Sequence, residues 1–178
     1  LEEAWELNQK RTNKIIGGML WVKITKGNVM TAIDLSALGL DKIEETEDEI
    51  RIGCMASLRQ MEEHQGLNAY TNGAVKEALR YIVGVQFRNL ATVGGSVYGR
   101  FGFSDVLTVL LAMDTYVEMY KGGFMPLAEF VNMKYDRDIL VSVIIKKQKA
   151  SFCYQSVRIA KTDFPVLTCA TALTEAGI

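Results

Sequence analysis

The chain has 178 residues, 20 Lys and Arg against 21 Asp and Glu, and a formal charge of −1, a balance that argues against a nucleic-acid binder without excluding a local basic patch. Its apolar fraction of 49% supplies a real core and excludes a disordered chain. No apolar run approaches the ~20 residues of a membrane-spanning helix.

In chain order, EEAWELNQK places Leu1, Ala4, Trp5 and Leu7 at helical spacing. KIIGG reads as a short buried strand entering a double-glycine turn, and MLWVKITKG is apolar and ambiguous, with a short helix preferred. VMTAIDLS predicts a strand ending near Asp34. DKIEETEDEIRIGCMAS predicts a β-hairpin: Ile43 opens one arm, the acidic ETED makes a solvated turn, and Ile50 and Ile52 alternate on the other arm. Ser57 is placed to cap a helix, SLRQMEEHQ, with Met61 on its inner face, and His64, the sole histidine, falls at that helix's solvated end. GAVKEALRYIVG carries Val75, Ala78, Leu79 and Ile82 on one stripe.

The stretch ATVGGSVYGRFGFSD follows. Glycine weakens both helix and strand, so the stretch reads as a loop that ends where Ser104 and Asp105 cap the apolar helix VLTVLLAMD. TYVEMYKGG alternates as a strand, and PLAEFVN opens on a proline suited to a first helical turn. ILVSVIIKK is a buried strand, KKQKA a charged linker, and SFCYQSVRI another alternating strand. The mixture lacks strict βα alternation and predicts an α+β fold. Two units are expected, residues 1–147 and 151–178. The ending CATALTEAGI, soon after a strand-like run, and the start at Leu1 lead us to expect sequence missing at the ends.

The cysteines Cys54, Cys153 and Cys169 are dispersed, with no Cys-x-x-Cys, so no zinc or iron-sulfur site is spelled out. They read as reduced, small hydrophobes in a reducing compartment, which points to the cytoplasm. The glycine pairs, Gly17-Gly18 and Gly94-Gly95, are open to three explanations: tight turns, close packing, or backbone cradles for phosphate. Each follows or precedes an element end, where unpaired N–H groups favour anions, and two such loops could hold the two phosphates of a dinucleotide. The spacing is not that of the Rossmann fingerprint, and no Gly-Lys-Ser/Thr P-loop occurs.

The segment QFRNLATVGGSVYGRFGFSDVLTVLLAMD, with Gln86, Arg88, Asn89, Thr92, Gly94, Gly95, Ser104 and Asp105 in order, resembles the second FAD-binding segment of the flavoprotein subunit of molybdenum hydroxylases, the group of xanthine dehydrogenase, aldehyde oxidoreductase and aerobic carbon monoxide dehydrogenase. KIIGGMLWVKI is similar to the first segment, and IDLSALGLDKIEE and RIGCMASLRQMEEH fit the portion between. The resemblance implies a two-subdomain FAD-binding fold of the vanillyl-alcohol-oxidase/PCMH type, followed from Ser151 by the start of a small α+β C-terminal domain. It implies that Ile16, Gly17, Gly18, Met19 and Leu20 wrap the pyrophosphate from one side through backbone N–H groups, and that Thr92, Gly94, Gly95 and Ser96 form the other cradle. Relatives carry a hydroxyl or acid at Met19 and Leu20, so only the backbone role transfers. Asp105 becomes a ligand of the adenosine ribose beside Ser104, or a helix-start charge, and both roles can coexist. Tyr81 and Ile82 match the adenine region or simple packing. Lys161 approaches the flavin edge or stays at the surface. Arg100 pairs with a phosphate or sits in solvent. Phe101 and Phe103 cover a ring or join the core.

On this resemblance the chain is the FAD-binding electron-transfer subunit of a molybdopterin-dependent hydroxylase. It would take electrons from two [2Fe-2S] clusters on an iron-sulfur subunit, which a molybdopterin subunit feeds, and pass them to NAD or another acceptor. A homodimer of that heterotrimer is compatible. The alternatives are a self-contained flavin oxidoreductase and a scaffold that kept the fold and lost FAD.

Overall fold

The structure is a computed structural model that describes residues 1–175 and 177. Its elements run α1 (Glu2–Asn8), β1 (Asn13–Ile16), β2 (Thr31–Asp34), β3 (Ile43–Glu45), β4 (Glu49–Gly53), α2 (Leu58–Glu63), α3 (Gln65–Tyr70), α4 (Ala74–Leu79), α5 (Val85–Leu90), α6 (Val93–Tyr98), α7 (Asp105–Leu111), β5 (Thr115–Met119), β6 (Gly123–Pro126), α8 (Leu127–Phe130), β7 (Leu140–Lys146), β8 (Ala150–Arg158) and β9 (Pro165–Thr174). The fold class is α+β, as expected.

Three sheets organise these elements. β1 and β2 form a small parallel pair, with Ile15 opposite Ile33. A five-stranded antiparallel sheet has the order β3-β4-β7-β5-β6. β8 and β9 make a long antiparallel ribbon. The run LVSVII of β7 is apolar because this strand is central and buried on both faces. Strand β4, nearer the edge, alternates: Ile50 and Ile52 point into the core, while Arg51 reaches outward across the sheet to Glu118 and Ser142. The ribbon buries Phe152 and Tyr154 on one face and leaves Val157, Leu167 and Leu173 exposed.

The hairpin at Ile43 and Ile50, the strands at Asp34 and Leu140, and the helix capped by Ser57 lie where the sequence places them. Ser57 forms a full capping box with Gln60. Several elements differ. MLWVKITKG yields only a 3-10 turn, Val22–Ile24, because the preceding residues are committed to a tight loop. SLRQMEEHQ does not run on: His64 takes an extended conformation, and its Nδ1 accepts the amide of Leu67 at 3.0 Å, which starts α3. His64 is thus an N-cap of the next helix as well as the end of the first. Strand β6, GFMP, was not foreseen, since a glycine and a proline bound only two residues with strand propensity. Gly94 and Gly95 lie inside a helix, α6, rather than in a loop.

Candidate functional site

The early glycine pair turns the chain sharply at the end of β1 and presses it against the segment between α5 and α6. A Cβ on Gly17 would lie 2.4 Å from Thr92 Oγ1, and one on Gly18 would lie 1.9 Å from the backbone oxygen of Leu90. Neither position tolerates a side chain without movement of its neighbour, and at Gly18 that neighbour is backbone. Met19 then adopts the left-handed region at φ 56°, uncommon for a residue with a Cβ, and Trp21 returns to the right-handed region. The amides of Gly18, Met19, Leu20 and Trp21 donate to no acceptor among the described residues. A run of unpartnered N–H groups around a left-handed residue is a nest, which suits an anion.

The central segment is built differently. Thr92 caps α6 through its side chain, which accepts the Gly95 amide at 3.2 Å. The Val93 amide donates to Ala56 O and the Gly94 amide to Cys54 O, both at 2.8 Å, and the Ser96 amide donates to Thr92 O at 3.1 Å. The Ser96 hydroxyl also donates to Thr92 O, at 3.0 Å. Of the residues expected to form a second cradle, Gly94, Gly95 and Ser96 therefore already have protein partners for their amides. The reason for glycine here is packing: a Cβ on Gly94 would fall 2.6 Å from Cys54 Cβ and 2.7 Å from Cys54 O. Helix α6 lies directly on the end of β4.

Both segments line one cleft of about 410 Å³, with Ile16, Gly17, Gly18, Met19 and Leu20 on one wall and Thr92, Gly94, Gly95 and Ser96 on the other. A second cavity of about 240 Å³ shares Leu20, Trp21, Phe87, Ser96 and Phe101 with it, so the two are continuous along one wall. Ile82, Ser104, Asp105 and Arg158 line the second. Ser104 Oγ accepts the Leu107 amide at 3.2 Å and caps α7. Asp105 is buried, and its Oδ1 accepts hydrogen bonds from the Tyr154 hydroxyl and from Arg158, tying α7 to the ribbon. Burial pushes the Asp105 carboxyl above its ordinary range, and the two donors offset this only in part. Oδ2 accepts no hydrogen bond from another described residue. Lys161 is exposed, with Nζ 5.4 Å from the ring centroid of Tyr81, itself on the second cavity. Tyr81 and Ile82, read as lying near adenine, Asp105, read as the ribose ligand, and Lys161, read as lying near the flavin edge, thus gather on one side of the site.

Other side chains took places that sequence reasoning did not anticipate. Arg100 neither meets the cleft nor enters solvent. Its guanidinium sits 3.9 Å from the Phe130 ring centroid and 4.8 Å from that of Tyr135, and Nη1 donates to Met133 O at 2.7 Å. Arg88 of the QFRN run is buried against Glu62, with Nε 2.8 Å from Oε2. Burial raises the Glu62 pKa, but the bonds and charges of Arg88 and Arg59 outweigh it and hold the carboxyl below its ordinary value. No spacing rule links residues 26 apart, so only the motif, not its partner, was visible. Phe101 and Phe103 are exposed rather than core. Cys54 is buried, which pushes its thiol up to about 12, whereas Cys153 and Cys169 are exposed because the outer face of the ribbon is uncovered. Among the described residues no group of three or more His, Cys, Asp or Glu could hold a metal ion, and no helix is long and apolar enough to cross a membrane.

Residues 1–147 match the family model described as the FAD binding domain in molybdopterin dehydrogenase. Among curated proteins, the uncharacterized protein YgfM of Escherichia coli K12 is 27% identical over 179 residues, covering 98% of this chain and 67% of that protein, and its counterpart in Escherichia coli O157:H7 matches equally. Among solved structures, carbon monoxide dehydrogenase from Hydrogenophaga pseudoflava superposes with a TM-score of 0.86 at 18% identity, covering 98% of this chain and 67% of that one. Quinoline 2-oxidoreductase from Pseudomonas putida 86 also gives 0.86, at 15% identity, covering 97% and 65%. At these identities the structures establish a shared fold. The chain spans about two thirds of the length of the relatives it matches.

Proposed function

Because the chain belongs to the family of FAD-binding domains of molybdopterin dehydrogenases, we propose that it holds FAD along the two continuous cavities and serves as the flavoprotein subunit of a molybdopterin-dependent hydroxylase. The observation that carries this reading is the run of unpartnered amides from Gly18 to Trp21, locked in place by the fit of Gly17 and Gly18 against Thr92 and Leu90. These residues suit a diphosphate: four unpartnered donors follow one another on one loop, and no side chain is needed, which accommodates Met19 and Leu20 where a hydroxyl or acid would otherwise help. Thr92, Gly94, Gly95 and Ser96 form the opposite wall by shape rather than by amide donation, which modifies the two-sided cradle. Ser104 and Asp105, with Ile82 across the second cavity, hold a hydroxyl-bearing or ring portion of the same molecule. Asp105 Oδ2 is the acceptor available to a ribose hydroxyl, and Lys161 stands at the rim.

The bound flavin supplies the redox chemistry, while the chain binds, orients and tunes it. In such an assembly the chain would face an iron-sulfur subunit carrying [2Fe-2S] clusters and, beyond it, a molybdopterin-binding subunit, and its flavin would serve as the electron outlet to NAD or another acceptor. The setting is cytoplasmic. Residues 1–147 form the FAD-binding unit and 151–178 begin a second domain, a division supported by the ribbon, which among the described residues is a sheet separate from the other two, although Phe152 and Tyr154 pack into the common core.

The test is the colour of the protein. Purified chain retains or takes up FAD, with absorbance near about 450 nm, and anaerobic NADH bleaches that band if NAD is the acceptor. A colourless protein that takes up no added FAD would instead favour a scaffold that kept the fold without the cofactor.

A further inference from the structure

The stretch from Met133 to Asp138, between α8 and β7, has no regular structure, yet it is tied to both walls of the first cavity. Asp136, Arg137 and Asp138 line that cavity, as do Asn13 on the β1 side and Gly99 on the α6 side. At the β1 end the fastening is dense. Arg137 donates through Nε to Asn8 O, and through Nη2 to Lys10 O at 2.8 Å and Asn13 O at 2.9 Å. Asn8 Nδ2 donates back to Arg137 O at 2.8 Å, and both asparagines are buried.

The α6 end is held differently. The Tyr98 hydroxyl donates to Asp136 O at 2.8 Å, the Tyr135 hydroxyl to Gly99 O at 2.5 Å, and Arg100 Nη1 to Met133 O at 2.7 Å. The Arg100 guanidinium rests on the rings of Phe130 and Tyr135. Its Nε and Nη2 are closed off from solvent and have no hydrogen-bond partner among the described residues. A donor shut away from water without an acceptor destabilises the arrangement that shuts it away. The Arg100 backbone adds a second cost, with φ at 47° in the left-handed region. Tyr135, which covers the guanidinium, is itself 63% exposed, so this end lies at the surface.

We propose that Met133–Asp138 is a strap with Arg137 as its fixed end and Arg100 as its latch, and that release at Arg100 sets how fast FAD enters and leaves the cleft. The second half of this inference rests on the flavoprotein reading above. When the guanidinium withdraws, Nε and Nη2 gain water and the backbone at Arg100 relaxes. Both gains offset the lost ring contacts, so opening is a local step far below global unfolding. Arg100 lines neither cavity. It therefore acts on the rate of exchange and not on the grip, because a latch that fastens the empty and the loaded cleft alike has no differential affinity to offer.

Arg100→Met, Arg100→Lys and Tyr135→Phe are compared with the wild-type chain in two measurements. In the first, trypsin acts on the nucleotide-free chain. The bond after Lys134, within the strap, is expected to be cut about tenfold faster in Arg100→Met, the scale of a lost cation–π contact with its hydrogen bond. Cleavage after Arg11, at the fixed end, stays as in wild type. In the second, stopped-flow fluorescence follows FAD. Association and dissociation both rise by about tenfold in Arg100→Met, while Kd stays within about threefold. Arg100→Lys keeps a cation among the rings and recovers part of the closure. Tyr135→Phe keeps the ring and loses only the bond to Gly99 O, so it gives a smaller effect of the same pattern and serves if Arg100→Met does not fold. Unchanged cleavage after Lys134 in both Arg100→Met and Tyr135→Phe, or equal acceleration after Arg11, overturns the latch. Faster cleavage with unchanged FAD rates, or with a Kd weakened beyond about threefold, overturns its control of exchange. Wild-type protein that takes up no FAD overturns the flavoprotein reading and that control together, while cleavage after Lys134 still decides whether the strap opens at Arg100.

Discussion

The two glycine pairs look alike in the sequence and do opposite work in the fold. At Gly17-Gly18 the missing side chains let a loop press against Thr92 and Leu90 while its own amides stay unpartnered. At Gly94-Gly95 the missing side chain lets helix α6 settle on Cys54, and the two amides are taken up by Cys54 and Thr92. One pair exposes donors, and the other removes them. A double glycine therefore identifies a close approach of backbone, and only the destination of its hydrogen bonds says whether an anion can follow.

If this contrast is right, damage near the central pair should cost stability without a selective loss of FAD, whereas damage at the early pair should blind the chain as well. The largest effect falls on the anchor just before the central segment. Arg88→Ala leaves the Glu62 carboxylate buried without its main partner and should cost about 3–5 kcal/mol, read by urea denaturation. A pH dependence accompanies it. The Glu62 pKa lies below its ordinary 4.5 in the folded chain, so its stabilisation is present above pH 4.5 and is lost as pH falls through the lower folded value. Glu62→Gln should flatten that part of the acid limb of the stability profile. An acid limb identical to wild type would show that this pair does not hold the segment.

Gly94→Ala comes next. Its Cβ would meet Cys54 Cβ and O at 2.6 and 2.7 Å inside the core, a clash that should cost about 1–3 kcal/mol. Whatever protein remains folded should keep near-normal FAD affinity, since the Gly94 amide points at Cys54 and not at the cleft. A folded Gly94→Ala variant that has lost FAD selectively would return the central pair to the role of a donor cradle. Gly18→Ala tests the opposite side. Its Cβ would meet the Leu90 backbone oxygen at 1.9 Å, so backbone must move and thermal stability should fall, as in Gly94→Ala. The nest loses its geometry as well. Losing two charge-assisted hydrogen bonds at about 1.5 kcal/mol each weakens FAD by about 100-fold, measurable by equilibrium dialysis.

The contrast also explains what could be read from residues alone. Ile50 and Ile52 alternate because β4 has a wet face and a dry one, and Ser57 with Gln60 spells its cap locally, so both were legible. The order of Thr92, Gly94, Gly95 and Asp105 carried the family resemblance. What stayed hidden depends on partners far away in sequence. Glycine's poor helix propensity argues for a loop at Gly94, but the close approach to Cys54, forty residues earlier in the chain, overrides it. Arg100 gives no hint of Phe130 and Tyr135, nor Arg88 of Glu62. Asp105 is visible as a helix-start charge and as a family position, but not as the acceptor that ties in Tyr154 and Arg158 from the ribbon.

The smallest effect is the sharpest test of how the early loop works. Met19 holds a left-handed φ of 56° and is half exposed, so its side chain contributes little burial while its Cβ strains the backbone. Met19→Gly removes that strain, worth about 1 kcal/mol, but it also loosens the unfolded chain by a similar amount. The melting temperature should therefore move by no more than a few degrees in either direction. If the nest is made of amides alone, FAD affinity should stay within about threefold of wild type, since this change is below 1 kcal/mol. A loss of more than tenfold would mean that the Met19 side chain, not the backbone it bends, grips the cofactor.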